Sequence, residues 1–203
     1  MNAERLTHRY WARFREAGVM LLCATLFLAG GCLTAYWKHS EQQAQERRLI
    51  ASKVSTVMNF FHCQDPEIHA AIMETFDPVL VAIVTGIESQ YRVDAISPKG
   101  CRGLMQLSPD KLENWRDKRQ NILIGSRYLQ ELLSKFGSVE LAVAAYNAGP
   151  KAVIRYQGVP PYRETRRYVE KTRQFASMFE HAICFETGVL DSNRRSIAFQ
   201  TAL

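Results

Sequence analysis

No block of like charge, no internal repeat and no convincing alternation of apolar with polar residues occurs in the 203 residues of this chain. Without alternation there is no basis for a half-buried strand, so the regular structure is expected to be helical. Without a charge block, the formal net charge of +6 is spread over scattered Lys and Arg. That balance suits an acidic partner only weakly, and with no RNA-binding signature no nucleic-acid partner is expected. Disorder is excluded by a hydrophobic content of 47%. Cysteine is scarce. Of five, Cys23 and Cys32 fall in an N-terminal apolar segment, leaving Cys63, Cys101 and Cys184, an odd number for a disulfide framework. Cys63 and Cys184 bracket the main domain and are free to pair in an oxidising compartment or to remain thiols. His62 and His181 lie beside them, but adjacent His-Cys is poor ligand spacing for zinc, and no metal or other cofactor is expected.

What the chain does have begins with a membrane signal. Arg5, Arg9, Arg13 and Arg15 precede twenty residues without a charge, Gly18 to Trp37. At about 1.5 Å rise per residue such a helix crosses a hydrocarbon core of roughly 30 Å. Tyr36 and Trp37 stand where interfacial aromatics belong. Leu28-Ala29-Gly30-Gly31-Cys32 offers an alternative, a loose match to a lipoprotein cleavage site with Cys32 as the attachment point. The apolar run continues past Cys32, which favours an uncleaved anchor. The segment after Trp37, rich in Gln, Glu and Arg, reads as an exposed helical linker.

Beyond about Pro66 the helices have clear punctuation. Asp77-Pro78 is an N-cap followed by Pro at the first helical position, and Leu80, Ile83, Val84 and Ile87 fall on one face of a helix ending near Glu88. Ser97-Pro98-Lys99-Gly100 marks a turn within a loop from Asp94 to Leu104, after which Leu104 to Leu107 looks buried. A helix from Asn121 places Ile122, Gly125, Leu129, Leu132 and Leu133 together. Ser138 caps the next, which stops at Gly149-Pro150 and presents Tyr146 and Asn147 at its end. The last helix begins near Thr165, carries Tyr168, Val169, Thr172, Phe175, Met178 and Phe179, and loses its pattern beyond Phe185.

Glu88 is out of place by composition. An uncharged run, Pro78 to Ile87, leads straight into it, and carboxylates are ordinarily kept from such company. Either it escapes to solvent as the helix ends, or it is held where desolvation raises its pKa enough to donate a proton near neutral pH.

The neighbours decide between these. Glu88-Ser89-Gln90, Ala95 to Gly100 and Gly103-Leu104-Met105-Gln106-Leu107-Ser108-Pro109 closely resemble the first signature of the soluble lytic transglycosylases, a lysozyme-like glycoside hydrolase family. Asn121 with Gly125, Tyr128 and Leu129 resembles the second, Ala145-Tyr146-Asn147-Ala148-Gly149-Pro150 the third, and Tyr162, Glu164, Thr165, Tyr168 and Val169 the fourth. The resemblance implies a mainly α, lysozyme-like fold that binds peptidoglycan glycan strands in a groove. It implies non-hydrolytic cleavage of the β-1,4 bond between N-acetylmuramic acid and N-acetylglucosamine, leaving a 1,6-anhydro end. Glu88 matches the single catalytic acid. Ser89, Met105, Gln106, Tyr146, Asn147 and Tyr168 match positions expected to bind substrate or orient the acid.

Ordinary glycosidases use two carboxylates, whereas substrate-assisted families manage with one. Asp94 is the nearest second acid in sequence but falls inside no motif, and a loop cap is its simpler role. The chain departs from the family in the short connection between Pro109 and Asn121, which reduces one groove wall, and at Cys101, where a small residue is usual. The expected organisation is a basic segment over 1–17, a transmembrane anchor or signal over 18–37, a helical linker over 38–64, the catalytic domain over 65–185 and a mobile tail over 186–203. The expected location is the cell membrane, single-pass, with the catalytic domain in the periplasm. By analogy alone, the enzyme opens the wall for a secretion, conjugation or pilus apparatus. A goose-type lysozyme-like hydrolase and a non-catalytic glycan-binding scaffold are the competing readings.

Overall fold

A computed structural model describes residues 33–187, with side chains as far as Phe179. The expected segment over 1–17, Gly18 to Cys32 of the expected anchor, and residues 188–203 of the tail expected over 186–203 lie outside the described residues. Among the described residues no helix is long and apolar enough to cross a membrane. The chain divides into two units, Met1–Leu49 and Ile50–Leu203. Of the first, residues 33–49 are described, and they are helical with mostly exposed side chains.

The second unit opens with helix α1, residues 50–60. It is followed by α2 (Pro66–Met73), α3 (Pro78–Ser89), α4 (Lys118–Phe136), α5 (Val139–Ala148), α6 (Pro150–Tyr156) and α7 (Arg163–Thr187). No strand occurs among the described residues. Two isolated bridges, Ile96 with Arg102 and Arg102 with Leu107, fold the loop between α3 and α4 back on itself. Val54, Val57 and Met58, inside the stretch expected as a linker, are buried in the main core. His69 of α2 ties to this helix through the Ala51 carbonyl at 3.3 Å and the Ser55 hydroxyl at 3.2 Å.

Helix α3 is the centre of the unit, and its sequence explains why. Asp77 accepts a hydrogen bond from the Leu80 amide at 3.0 Å, Pro78 fixes the first turn, and every residue from Leu80 to Gly86 is buried. A helix apolar all round needs neighbours all round, and α2, α4 and α7 supply them. It stops because Gln90 and Tyr91 both take left-handed backbone conformations, with φ of 52° and 60°. The strain is held by packing: Tyr91 is buried, and its hydroxyl donates to the Ala82 carbonyl at 2.8 Å.

The remaining helices follow the expected punctuation with five differences. α4 starts three residues before Asn121, because the Asp117 side chain caps it through the Gln120 amide at 2.8 Å. Ser138 stands at the N-cap of α5 but its side chain makes no capping bond. Gly149 and Pro150, read as a stop, are also the start of the short helix α6. α7 begins at Arg163, and Met178, expected on its apolar face, is 40% exposed. α5 buries Val139 and Ala142 to Ala145, and these mostly small side chains let it pack against α4, α6 and α7. At the other end of α7, Phe175 and Phe179 stack at 5.8 Å and meet Phe60 edge-on.

Candidate active site

Glu88 is the penultimate residue of α3, so the buried helix delivers its carboxylate to the edge of the core. From α7, the Tyr168 hydroxyl donates a hydrogen bond to Glu88 Oε1 at 2.7 Å. Burial pushes the Glu88 pKa up to about 7; the Tyr168 bond opposes the rise, and the negative charge of Glu164 adds to it. At neutral pH the acid therefore exists in both forms, the condition for giving a proton and taking one back.

Tyr146 reaches the same place from the end of α5. Its hydroxyl donates to the Met105 carbonyl at 2.8 Å, and its ring lies 5.5 Å from that of Tyr128. Burial and then the Glu88 charge push the Tyr146 and Tyr168 hydroxyls well above the usual tyrosine range, so both stay protonated. Next to Tyr146, Asn147 accepts from the buried Thr165 hydroxyl at 2.8 Å and donates to Glu164 Oε1 at 3.4 Å. The other Glu164 oxygen lies 3.5 Å from Lys99 Nζ. The ends of α5 and α7 and the Ser97–Gly100 turn are thus joined through one carboxylate.

The loop between α3 and α4 is held by Asn121. This fully buried amide accepts from the Met105 N–H at 2.8 Å and donates to the Trp115 carbonyl at 3.1 Å and the Arg102 carbonyl at 3.3 Å. Gly103 is required here: its φ is 79°, and an added Cβ would run into the Asn121 amide and approach the Trp115 carbonyl to 2.9 Å. Gln106, also left-handed with φ 49°, donates from Nε2 to the Gly103 carbonyl at 2.9 Å and the Ala95 carbonyl at 3.2 Å.

Of the expected site residues, Glu88, Tyr146, Asn147 and Tyr168 are brought together, and Gln106 lies half-buried on the loop. The side chains of Ser89 and Met105 are buried. Ser89 is 1% exposed, and its hydroxyl bonds back to the Thr85 carbonyl at 3.2 Å, inside its own helix. The Met105 side chain is fully buried against Gly125, where an added Cβ would come within 2.6 Å of its sulfur. Its contribution to the site is its backbone, which holds Tyr146 above and Asn121 below. Asp94 does not join the group: its exposed carboxylate pairs with Arg116 at 2.8 Å.

Glu164 and Thr165, present in the fourth motif but given no role there, are the residues the sequence reading missed. The available signal was helical: Glu164 and Tyr168 are four apart, hence one turn apart along α7. The free thiols Cys63 and Cys101 are both half-buried, and Cys184 lies among residues whose side chains are not described. Among the described residues no cluster of His, Cys, Asp and Glu could hold a metal.

A family model described as the transglycosylase SLT domain matches residues 65–169, about half the chain. Over 123 residues the chain is 31% identical to the soluble lytic murein transglycosylase of Salmonella typhimurium, a match covering 46% of this chain and 19% of that protein. Over 88 residues it is 35% identical to the membrane-bound lytic murein transglycosylase F of an Enterobacter species, covering 37% of this chain and 17% of the relative. The chain thus spans about a fifth of the length of these relatives. Among solved structures, the fold resembles the 70 kDa soluble lytic transglycosylase of Escherichia coli with a TM-score of 0.52. That match has 23% sequence identity and covers 60% of this chain and 24% of the other.

Proposed function

The chain belongs to the transglycosylase SLT domain family, and from that premise we propose that it is a peptidoglycan lytic transglycosylase with Glu88 as its single acid and base. The observation that carries this reading is the Tyr168–Glu88 hydrogen bond at 2.7 Å, made where burial brings the acid to about pH 7. Protonated Glu88 gives its proton to the glycosidic oxygen as the bond from that oxygen to C1 of the muramoyl sugar breaks. The carboxylate then removes the proton from the C6 hydroxyl of the same sugar, whose oxygen closes on C1. One C–O bond breaks, one forms, and no water is consumed. The acetamido group of that sugar stabilises positive charge at C1, which is why no second carboxylate is needed. Tyr168 orients Glu88, and Tyr146, Asn147 and the Gln106 amide oxygen meet the glycan.

The finer proposal is a single-pass protein anchored by Gly18 to Trp37 in the inner membrane with residues 65–185 acting in the periplasm, opening the wall for a secretion, conjugation or pilus apparatus. The anchor is supported by the uncharged run of twenty residues and the likeness to relatives named membrane-bound, and the apparatus rests on analogy alone.

The test is incubation with purified peptidoglycan followed by mass analysis of the released muropeptides. Products one water lighter than hydrolytic ones are expected. Products with reducing ends would assign a goose-type hydrolase instead, and tight glycan binding without products would assign a scaffold.

A further inference from the structure

Large apolar side chains that stand singly in solvent need no explanation, but a cluster of them does. Ile154, Tyr156 and Tyr162 are 55%, 41% and 42% exposed and stand close together in sequence, across α6 and its connection to α7. The two tyrosine rings meet edge to face, with centroids 5.7 Å and planes 84° apart. In that geometry the ring that offers its edge keeps its own faces clear of its partner. The backbone that carries them is fixed on both sides. Gln157, left-handed at φ 51°, and Gly158 close α6 through amide bonds to the Ile154 and Val153 carbonyls, each at 3.2 Å. Pro160 is buried, Pro161 follows it, and the Tyr162 carbonyl accepts from the Arg166 amide at 3.0 Å as α7 begins. Rings held this firmly lose little freedom when something binds to them.

The pair adjoins the candidate site through α7. Glu164, two residues beyond Tyr162, faces Asn147 at 3.4 Å. Tyr168, which bonds to Glu88, is six residues beyond Tyr162, about 9 Å along the helix axis. One extended polymer can therefore touch both. We propose that Tyr156 and Tyr162 form a stacking platform for a sugar ring of the glycan strand, away from the bond that Glu88 cleaves; this rests on the transglycosylase reading. A pyranose presents C–H groups on its face and hydroxyls at its rim, which match an aromatic face bordered by phenol hydroxyls. Charge fits the same occupant. The Arg155 guanidinium lies 5.7 Å from the Tyr156 ring centre and Arg163 beside Tyr162 is exposed, whereas the peptides carried by muramoyl sugars end in carboxylates.

The test uses the full chain in detergent carrying Glu88→Gln, so that no strand is consumed, with 13C-labelled tyrosine rings assigned by single Tyr→Phe variants. The probe is the hexamer of β-1,4-linked N-acetylglucosamine, followed by NMR. Saturable shifts of the Tyr156 and Tyr162 signals together with that of Tyr146 are expected. Movement of Tyr146 alone would overturn the platform and leave the function proposed above intact. No movement of any tyrosine would count against that function and take the platform with it. With Glu88 restored and soluble glycan strands as substrate, Tyr156→Ala and Tyr162→Ala are each expected to raise KM about 3- to 10-fold, with kcat held within about twofold. Tyr162→Phe, which keeps the ring, is expected to behave as the parent. A fall in kcat and melting temperature without a rise in KM would make the pair a brace between α6 and α7 and overturn the proposal. Shifted Tyr156 and Tyr162 signals in a chain that cleaves nothing would leave the platform standing and count against the activity alone.

Discussion

Helices α3 and α7 both deliver groups to Glu88, and they are built on opposite plans. α3 is uncharged from Pro78 to Ile87 and buried along most of its length; it carries the acid itself. α7 is amphipathic: Thr165, Tyr168, Val169 and Thr172 are buried, while Glu164, Arg166, Arg167 and Glu170 face water. It carries Tyr168, which bonds to the acid. The difference is one of electrostatic setting. A carboxylate gains a raised pKa from apolar surroundings, which a buried helix provides, whereas adjustment by charge needs a helix with one side in water. Exchanging the roles would place the acid where solvent relaxes its pKa and the tuning charge where it would cost several kcal/mol to bury.

The largest expected effect breaks the α3 side. Glu88→Gln should lower muropeptide release by about 10²–10⁴-fold while keeping the helical circular dichroism. The same variant has a stability signature. The Glu88 pKa is raised from its ordinary 4.5 to about 7, so the folded state holds the proton more tightly than the unfolded chain does. Whatever this favourable proton binding contributes is present at low pH and is lost as pH rises through about 7. Denaturant melts should therefore show Glu88→Gln gaining on the parent by up to about 3 kcal/mol between pH 4 and pH 8. A pH-independent difference would remove the desolvated acid from the account.

On the α7 side, Tyr168→Phe should cost less, about 10-fold in kcat with KM little changed, because it removes an orienting hydrogen bond and not the proton donor. The hydroxyl bond lowers the Glu88 pKa, so its loss should move the high-pH limb of the rate profile upward. A loss as large as that of Glu88→Gln would make the tyrosine a participant in the chemistry, and α7 would then carry more than tuning.

How far the sequence reveals the site follows the same division. Glu88 could be found because a long uncharged helix ending in one acid is a local pattern, and the motifs around it are local too. For Ser89 and Met105 the motif positions say nothing of side-chain direction. Ser89 turns back to its own helix, and Met105 drops into space that Gly125 leaves open from another helix. The contact between Asn147 and Glu164 joins two helices, and only packing brings them together. Helix α6 is hidden in the sequence because a single residue, Gly149, both ends α5 and starts α6. Val54, Val57 and Met58 were passed over because their apolar stripe is short and surrounded by polar residues.

The loop between α3 and α4 is a third part of the site, and Asn121 tests whether it is held independently of α3 and α7. Asn121→Ala would strand a buried Met105 N–H and weaken two carbonyl contacts, a cost of about 1–3 kcal/mol. Since Met105 also accepts from Tyr146, the loss should appear in kcat as well as in the melting temperature. A variant that is destabilised but fully active would show that the loop only roofs the core.

The smallest expected effect concerns Asp94, which lies in the same loop and is the carboxylate nearest Glu88 in sequence. Its side chain is 78% exposed and bonded to Arg116 at 2.8 Å, and that guanidinium lies 4.1 Å over the Trp115 ring. An exposed pair of this kind is worth about 0–1 kcal/mol. Asp94→Asn should therefore change stability by no more than that and leave kcat/KM within about twofold, since no charge from it bears on the acid. The outcome separates one-carboxylate from two-carboxylate chemistry. If Asp94 were a base activating water, its loss would cost orders of magnitude and the products would carry reducing ends; if Glu88 works alone, the anhydro products persist at full yield in its absence.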